Sequence, residues 1–350
     1  ISSAAAPNPE VLALRFHPTR SPVEAIPRDL RAGIYDLCLK HADGALRRQG
    51  RMWKKFDPLS AEALAKPYRF EKRAQAGEAA RRSSPERSAG GREHLLGELT
   101  WPEAEARLQH VDVALLPVGA IEQHGPHLPL DTDSYDADYL ARRVAEACSE
   151  PRPLVLPPIA YGVSYHHLDF PGTLSVGPET QAKLVYEIGM SAARWGITKL
   201  VMINGHGGNA PALHLAAQMI NRDAHIFTCV DTGETSDADV AEICDVKNDA
   251  HAGDIETSTS LAARPELVQM DRAVRFVPEF SSSYLDFSAR RSVGWYARTA
   301  RISPSGVFGD PTQATRAKGE QIWSLVVDRL VELVESLKKL SLDEIHQKRY

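Results

Sequence analysis

Between residues 113 and 230 the chain carries four short apolar runs: Val113-Ala-Leu-Leu-Pro-Val, Pro153-Leu-Val-Leu-Pro, Leu200-Val-Met-Ile-Asn and Ile226-Phe-Thr-Cys-Val. Each is too short for a buried helix and reads as a strand covered on both faces. Long amphipathic stretches separate them. Residues 134–148, 179–195 and 210–221 have helical spacing of their apolar positions. Residues 313–337 close the pattern, with Ile322, Leu325, Val326, Leu330, Leu333, Val334 and Leu337 at three- and four-residue steps. Buried strands alternating with helices predict an α/β fold, a largely parallel β-sheet flanked by helices.

The remaining sequence sets limits on class. In 350 residues the four cysteines Cys38, Cys148, Cys229 and Cys244 are scattered with no CxxC pair. This argues against a zinc ribbon and a disulfide framework, reads all four as small core residues and favours a reducing, cytoplasmic setting. The longest apolar run, residues 113–121, is broken by Pro117 and Gly119, far short of the roughly 18–20 residues a bilayer span needs. Residues 1–93 hold 18 Lys+Arg against 11 Asp+Glu, which leaves 23 against 35 for the rest. A body that acidic is a poor surface for nucleic acid. Residues 75–92, rich in Ala, Arg, Ser and Gly, have the composition of a linker. They divide a mainly helical N-terminal extension (1–92) from the main domain (93–345). Within the extension, residues 27–51 read as a helix, and Met52-Trp53-Lys54-Lys55-Phe56 is an apolar and basic patch suited to packing on the body or on a sister subunit. The chain opens at Ile1 rather than Met, which leaves open a trimmed start or a removed leader.

In a parallel sheet, ligands sit beyond the carboxyl ends of the strands. There the first run is followed by Glu122-Gln123-His124-Gly125-Pro126-His127 and, after a short loop, Asp131-Thr132-Asp133. The third is followed by Asn204-Gly205-His206-Gly207-Gly208-Asn209. In extended backbone, positions two apart share a face, so Glu122 and His124 present a carboxylate and an imidazole side by side, and Asp133 reaches in from the following loop. With the distant His206, this mixed N/O set suits Zn, Mn or Fe in the divalent state. Gly207 and Gly208 let a ligand approach the backbone closely, which with Asn209 makes that loop a candidate substrate contact. A third cluster, His251-Ala-Gly-Asp-Ile-Glu256-Thr-Ser, again mixes imidazole and carboxylate. Other reactive arrangements are missing: there is no G-x-S-x-G elbow, and no cysteine lies in a histidine-rich motif.

From Gly97-Glu-Leu-Thr-Trp101 through Leu116-Pro-Val-Gly-Ala-Ile-Glu-Gln-His-Gly, Phe170-Pro-Gly-Thr173, the Asn204–Asn209 loop and the His251–Ser258 segment, the sequence resembles the creatininase (creatinine amidohydrolase) family. The resemblance implies a metal-dependent amidohydrolase acting on a small-molecule amide, cyclic or linear, and a homo-oligomer, hexameric in this family. It implies that Glu122, Asp133 and His206 hold one metal, that His124 with a bridging Asp133 holds a second, and that His251 transfers protons. Two departures stand out. Creatininase has a glutamate, completing its second metal site, where this chain has Gly208. It also carries an aromatic residue and acids where this chain has Lys247-Asn-Asp-Ala250, which argues against a creatinine pocket. Glu256 is the candidate replacement carboxylate, as a ligand or as an acid that orients a histidine.

The candidate catalytic set is therefore His251, Glu256 and His167, the last a loop histidine expected to touch substrate. His127 and His166 are read as solvated or supporting histidines. The expected reaction is hydrolysis of an amide by a metal-activated water, with one or two metals per chain. The rival expectation is a noncatalytic subunit of the same fold that binds a partner through residues 1–92.

Overall fold

The computed structural model describes residues 92–231, 239–240, 242–244, 249–282, 284 and 296–345, together with the backbone of two strands near the N-terminus. It divides into two compact units, Ile1–Ala63 and Leu64–Tyr350. In the first, β1 (Ser2–Ala5) pairs antiparallel with β2 (Leu12–Arg15), Ser2 lying opposite Arg15. Of residues 1–91 only these eight are described, so the mainly helical reading of the extension concerns residues outside the described ones. The expected helix at 27–51, the Met52-Trp53-Phe56 patch, Cys38 and residues 75–91 of the expected linker lie outside the described residues.

The second unit is built on a four-stranded, wholly parallel sheet in the order β4-β3-β5-β6. Its strands are β3 (Val113–Val118), β4 (Leu154–Val155), β5 (Lys199–Asn204) and β6 (Phe227–Asp231). Register follows from burial on both faces. Ala114, Leu116 and Val118 of β3 with Leu200 and Met202 of β5 enter one apolar cluster, while Val113 and Leu115 with Val201 and Ile203 enter the other. Helices α3 (Pro178–Arg194) and α4 (Ala210–Ala224) cover the first face; α2 (Thr132–Ala147) and α6 (Arg316–Lys339) cover the second. A short α1 (Trp101–Leu108) precedes β3, α5 (Asp254–Ala263) lies against α6, and α7 (Leu342–Ile345) ends the described chain. The three described cysteines are unbonded: Cys148 and Cys244 are buried and Cys229 is half-buried.

Chain order places β4 on one side of β3 and β5 on the other, so successive connections diverge at β3 and open a crevice beyond its carboxyl end. Two glycines shape that crevice. A Cβ on Gly119 would overlap the backbone of Ser134, and one on Gly205 would overlap the carbonyl of Asp133. Only glycine at both strand ends lets the first turn of α2 press between them. On the far side, α5 is clamped to α6 by Lys318 Nζ, which donates to the buried Asp254 at 2.6 Å, while Ser258 Oγ donates to the other Asp254 oxygen at 2.9 Å.

Candidate metal centre

Glu122 and His124 follow β3, His206 follows β5, and Asp133 lies in the first turn of α2, whose start at Thr132 is two residues earlier than the periodicity predicted. There the positive end of the helix favours the carboxylate. His124 Nε2 stands 2.9 Å from Asp133 Oδ1, and His206 Nδ1 stands 3.2 Å from Asp133 Oδ2, so one carboxylate spans two imidazoles. Glu122 Oε2 is 3.3 Å from His206 Nε2. Both Glu122 oxygens are buried without a well-formed hydrogen bond among the described residues. A desolvated carboxylate in that state costs stability unless a cation joins it.

Glu256, in the first turn of α5, brings Oε2 to 3.7 Å from His124 Nε2 and 3.8 Å from His251 Nδ1, and it accepts a 2.5 Å hydrogen bond from the Ala252 amide. Among the described residues, three groups offer ligand atoms within 4.8 Å of one another: Glu122-His166-His206, Glu122-His124-His251 and His124-Asp133-Glu256. At Gly208 an added Cβ would lie 2.5 Å from His206 Nε2 and would overlap the Val163 carbonyl.

The electrostatics fit a cation. Burial lifts Glu122 to about 7, with His206 pulling against it and Asp133 adding to it. Burial likewise opposes charge on Asp133, yet His124 and His206 outweigh it and hold the carboxyl well below its usual range. The same contacts raise the imidazoles against the effect of burial: His206, beside Glu122 and Asp133, to about 9, and His124, beside Asp133 and Glu256, well above its ordinary value. Protons on these two rings provide positive charge where a divalent ion would provide it. Burial and then the neighbouring His124 push His251 far the other way, and burial and then His251 do the same to His167, so both stay neutral.

Other residues fall differently from the sequence reading. Gly207 has open space beside it, whereas Gly208 is pressed against Val163, His206 and His166. Asn209 is fully buried, donates to the Gly119 carbonyl at 3.0 Å and accepts from the Val163 amide at 2.9 Å. An amide of this shape fits where two strand-end loops must be tied, and it fastens the segments that carry Glu122 and His206. Asn209→Ala should cost about 2–4 kcal/mol, because two buried backbone groups lose their partner; chemical denaturation checks this, and an unchanged midpoint would contradict it. His167 is also buried, with Nε2 3.3 Å from Glu122 Oε1. His166, read as a supporting residue, stacks on His206 at 5.5 Å between centroids and belongs to a ligand-capable group. His127 is buried and bonds Thr257 Oγ1 at 2.9 Å. Gln123 was missed; its position between Glu122 and His124 placed it on the opposite face of an extended segment, and only the folded loops show what that face touches.

Comparison with known proteins agrees with this architecture. The sequence model of the creatininase family, described as creatinine amidohydrolase, matches residues 97–334. The mycofactocin precursor peptide peptidase of Mycobacterium ulcerans is 38% identical over 244 residues, covering 67% of this chain and 85% of that protein. Creatinine amidohydrolase of Pseudomonas putida is 31% identical over 262 residues, covering 69% and 95%. A crystal structure of creatinine amidohydrolase superposes with a TM-score of 0.62 at 29% identity, covering 71% of this chain and 99% of the other. A manganese form of creatininase gives 0.61 at 29% identity over the same shares.

Proposed function

The chain belongs to the creatininase family and is a hydrolase of that family, and from that premise we propose that it cleaves the carbon–nitrogen bond of a small amide at a centre of one or two divalent metals. The observation that carries the reading is the buried set of Glu122, Asp133, His124 and His206, in which Glu122 has no well-formed hydrogen bond and Asp133 spans two imidazoles. Glu122, Asp133 and His206 would hold one ion; His124, Asp133 and Glu256 would hold the second. When bound, Zn, Mn or Fe supplies a nucleophilic water at neutral pH and polarises the scissile carbonyl.

The protein's own groups complete the reaction. His251 takes the proton of the attacking water at Nδ1, the atom that faces Glu122 Oε1 and Glu256 Oε2 at 3.8 Å each. The water oxygen bonds to the carbonyl carbon, and the proton passes from Nδ1 to the leaving nitrogen as the carbon–nitrogen bond breaks. His167, behind Glu122, orients that carboxylate. A linear amide such as the end of a short peptide is favoured over creatinine. The relatives named as peptide peptidases are the more similar in sequence, and a side chain at Gly208 would meet the Val163 carbonyl and His206.

The test is metal analysis of gently purified protein together with a panel of short peptides, formamides, lactams and creatinine, assayed with Zn, Mn or Fe. Roughly one or two metals per chain and turnover of a linear amide are expected. A metal-free protein that turns over nothing on reconstitution would overturn the reading.

A further inference from the structure

We propose that Gln123 is a positioning residue that fixes where the protons sit on two histidines of the centre. It keeps His167 as the Nε2–H form facing Glu122 and His251 as the Nε2–H form, with the Nδ1 lone pair turned to Glu122 and Glu256.

The argument starts from backbone groups, whose polarity is not in question. Gln123 Oε1 lies 2.9 Å from the Gly125 amide, which only donates, and Nε2 lies 3.1 Å from the Gly306 carbonyl, which only accepts. Those two contacts set the orientation of the side-chain amide. Gly306 is required for the second, since its φ is +82° and a side chain on it would occupy the space of the Gln123 amide. One Nε2 hydrogen therefore goes to Gly306. The other has two imidazole nitrogens in reach, His167 Nδ1 at 2.8 Å and His251 Nε2 at 3.0 Å.

Residue 123 decides between them with its own backbone. His251 Nε2 is 2.8 Å from the Gln123 carbonyl. A carbonyl cannot donate, so His251 Nε2 carries a hydrogen and cannot accept another. The free Nε2 hydrogen of Gln123 goes to His167 Nδ1, which must then be the unprotonated nitrogen of that ring. The single proton of His167 is on Nε2, facing Glu122 Oε1 at 3.3 Å. In the neutral form of His251, with the proton on Nε2, Nδ1 is the unprotonated nitrogen, and it faces Glu122 Oε1 and Glu256 Oε2 at 3.8 Å each. The contact between Gln123 Nε2 and His251 Nε2 brings together two donors whose hydrogens point elsewhere.

The consequence for catalysis rests on the proposed function: a lone pair at His251 Nδ1 is what accepting a proton from water requires. The proton positions themselves do not rest on it. The test is long-range 1H–15N correlation on zinc-loaded protein with 15N-labelled histidine, the two signals assigned with His167→Gln and His251→Gln. Both rings should show the neutral Nε2–H pattern. In Gln123→Met, His167 should lose that fixed form; in Gln123→Glu, the carboxylate should draw its proton to Nδ1. Loss of an outer partner of this kind lowers kcat by about 10–100-fold, with zinc content kept and KM moved less than about twofold. A purely structural role would lower the melting temperature without changing the tautomer. An Nδ1–H pattern on either ring of the wild type, or a Gln123→Met protein with wild-type tautomers and turnover, would overturn the proposal. The wild-type spectrum decides even if the variants do not fold. Wrong tautomers in an active enzyme would sink this inference alone. Correct tautomers in a protein that cleaves no amide would sink the functional reading alone.

Discussion

Asp133→Ala is expected to fold, to lose its metal and to lose turnover. The reason lies in the one carboxylate that reaches both His124 and His206, at 2.9 and 3.2 Å. Removing an outer partner of a metal ligand costs about 10–100-fold in affinity; removing the carboxylate that joins both halves of the centre must cost more. Metal content measured beside activity and circular dichroism gives the check. Activity should fall by about 10³-fold or more while the helical signal stays, because Asp133 is in the first turn of α2 and contributes no apolar packing. A variant that retained its metal would show that Glu122, His166 and His206 bind it without the bridge.

His251→Ala should behave in the opposite way toward metal. A positioned proton-transferring imidazole contributes about 10²–10⁴ in rate, so kcat should fall by that factor with metal retained. The requirement comes from amide chemistry: the leaving nitrogen departs only when protonated, and His251 is the buried neutral imidazole whose free nitrogen faces Glu122 and Glu256. His251 is also held on its own backbone, exchanging hydrogen bonds with Phe308 at 2.8 and 3.1 Å, so removal of the ring should leave the loop in place. Steady-state kinetics with parallel metal analysis separates the outcomes. Loss of metal would make His251 a ligand, in keeping with its place beside Glu122 and His124, and full activity would remove it from the reaction.

The four apolar runs and the helical spacing between them determined the sheet, its covering helices and the strand ends where acids and histidines gather. That much follows from the sequence because burial on two faces imposes a pattern on consecutive residues, and β3, β5, α3 and α4 all formed within a few residues of the pattern. The motifs also named Glu122, His124, Asp133, His206, His251 and Glu256, which the fold draws into one cluster, all buried but the half-buried Glu256. What the sequence did not contain was the direction of side chains across loops distant in sequence. Asn209 follows a glycine pair as a substrate contact would, yet its amide ties Gly119 to Val163 across gaps of 90 and 46 residues. His166 and His167 are neighbours in sequence, but one stacks on His206 while the other sits behind Glu122. Gln123 has no periodic or motif signal of its own; its role arises when residues 125, 167, 251 and 306 meet around it. Local pattern is set by which faces must leave water, and the sequence records that directly. Hydrogen-bond polarity in a buried site is set by partners that only tertiary folding brings together.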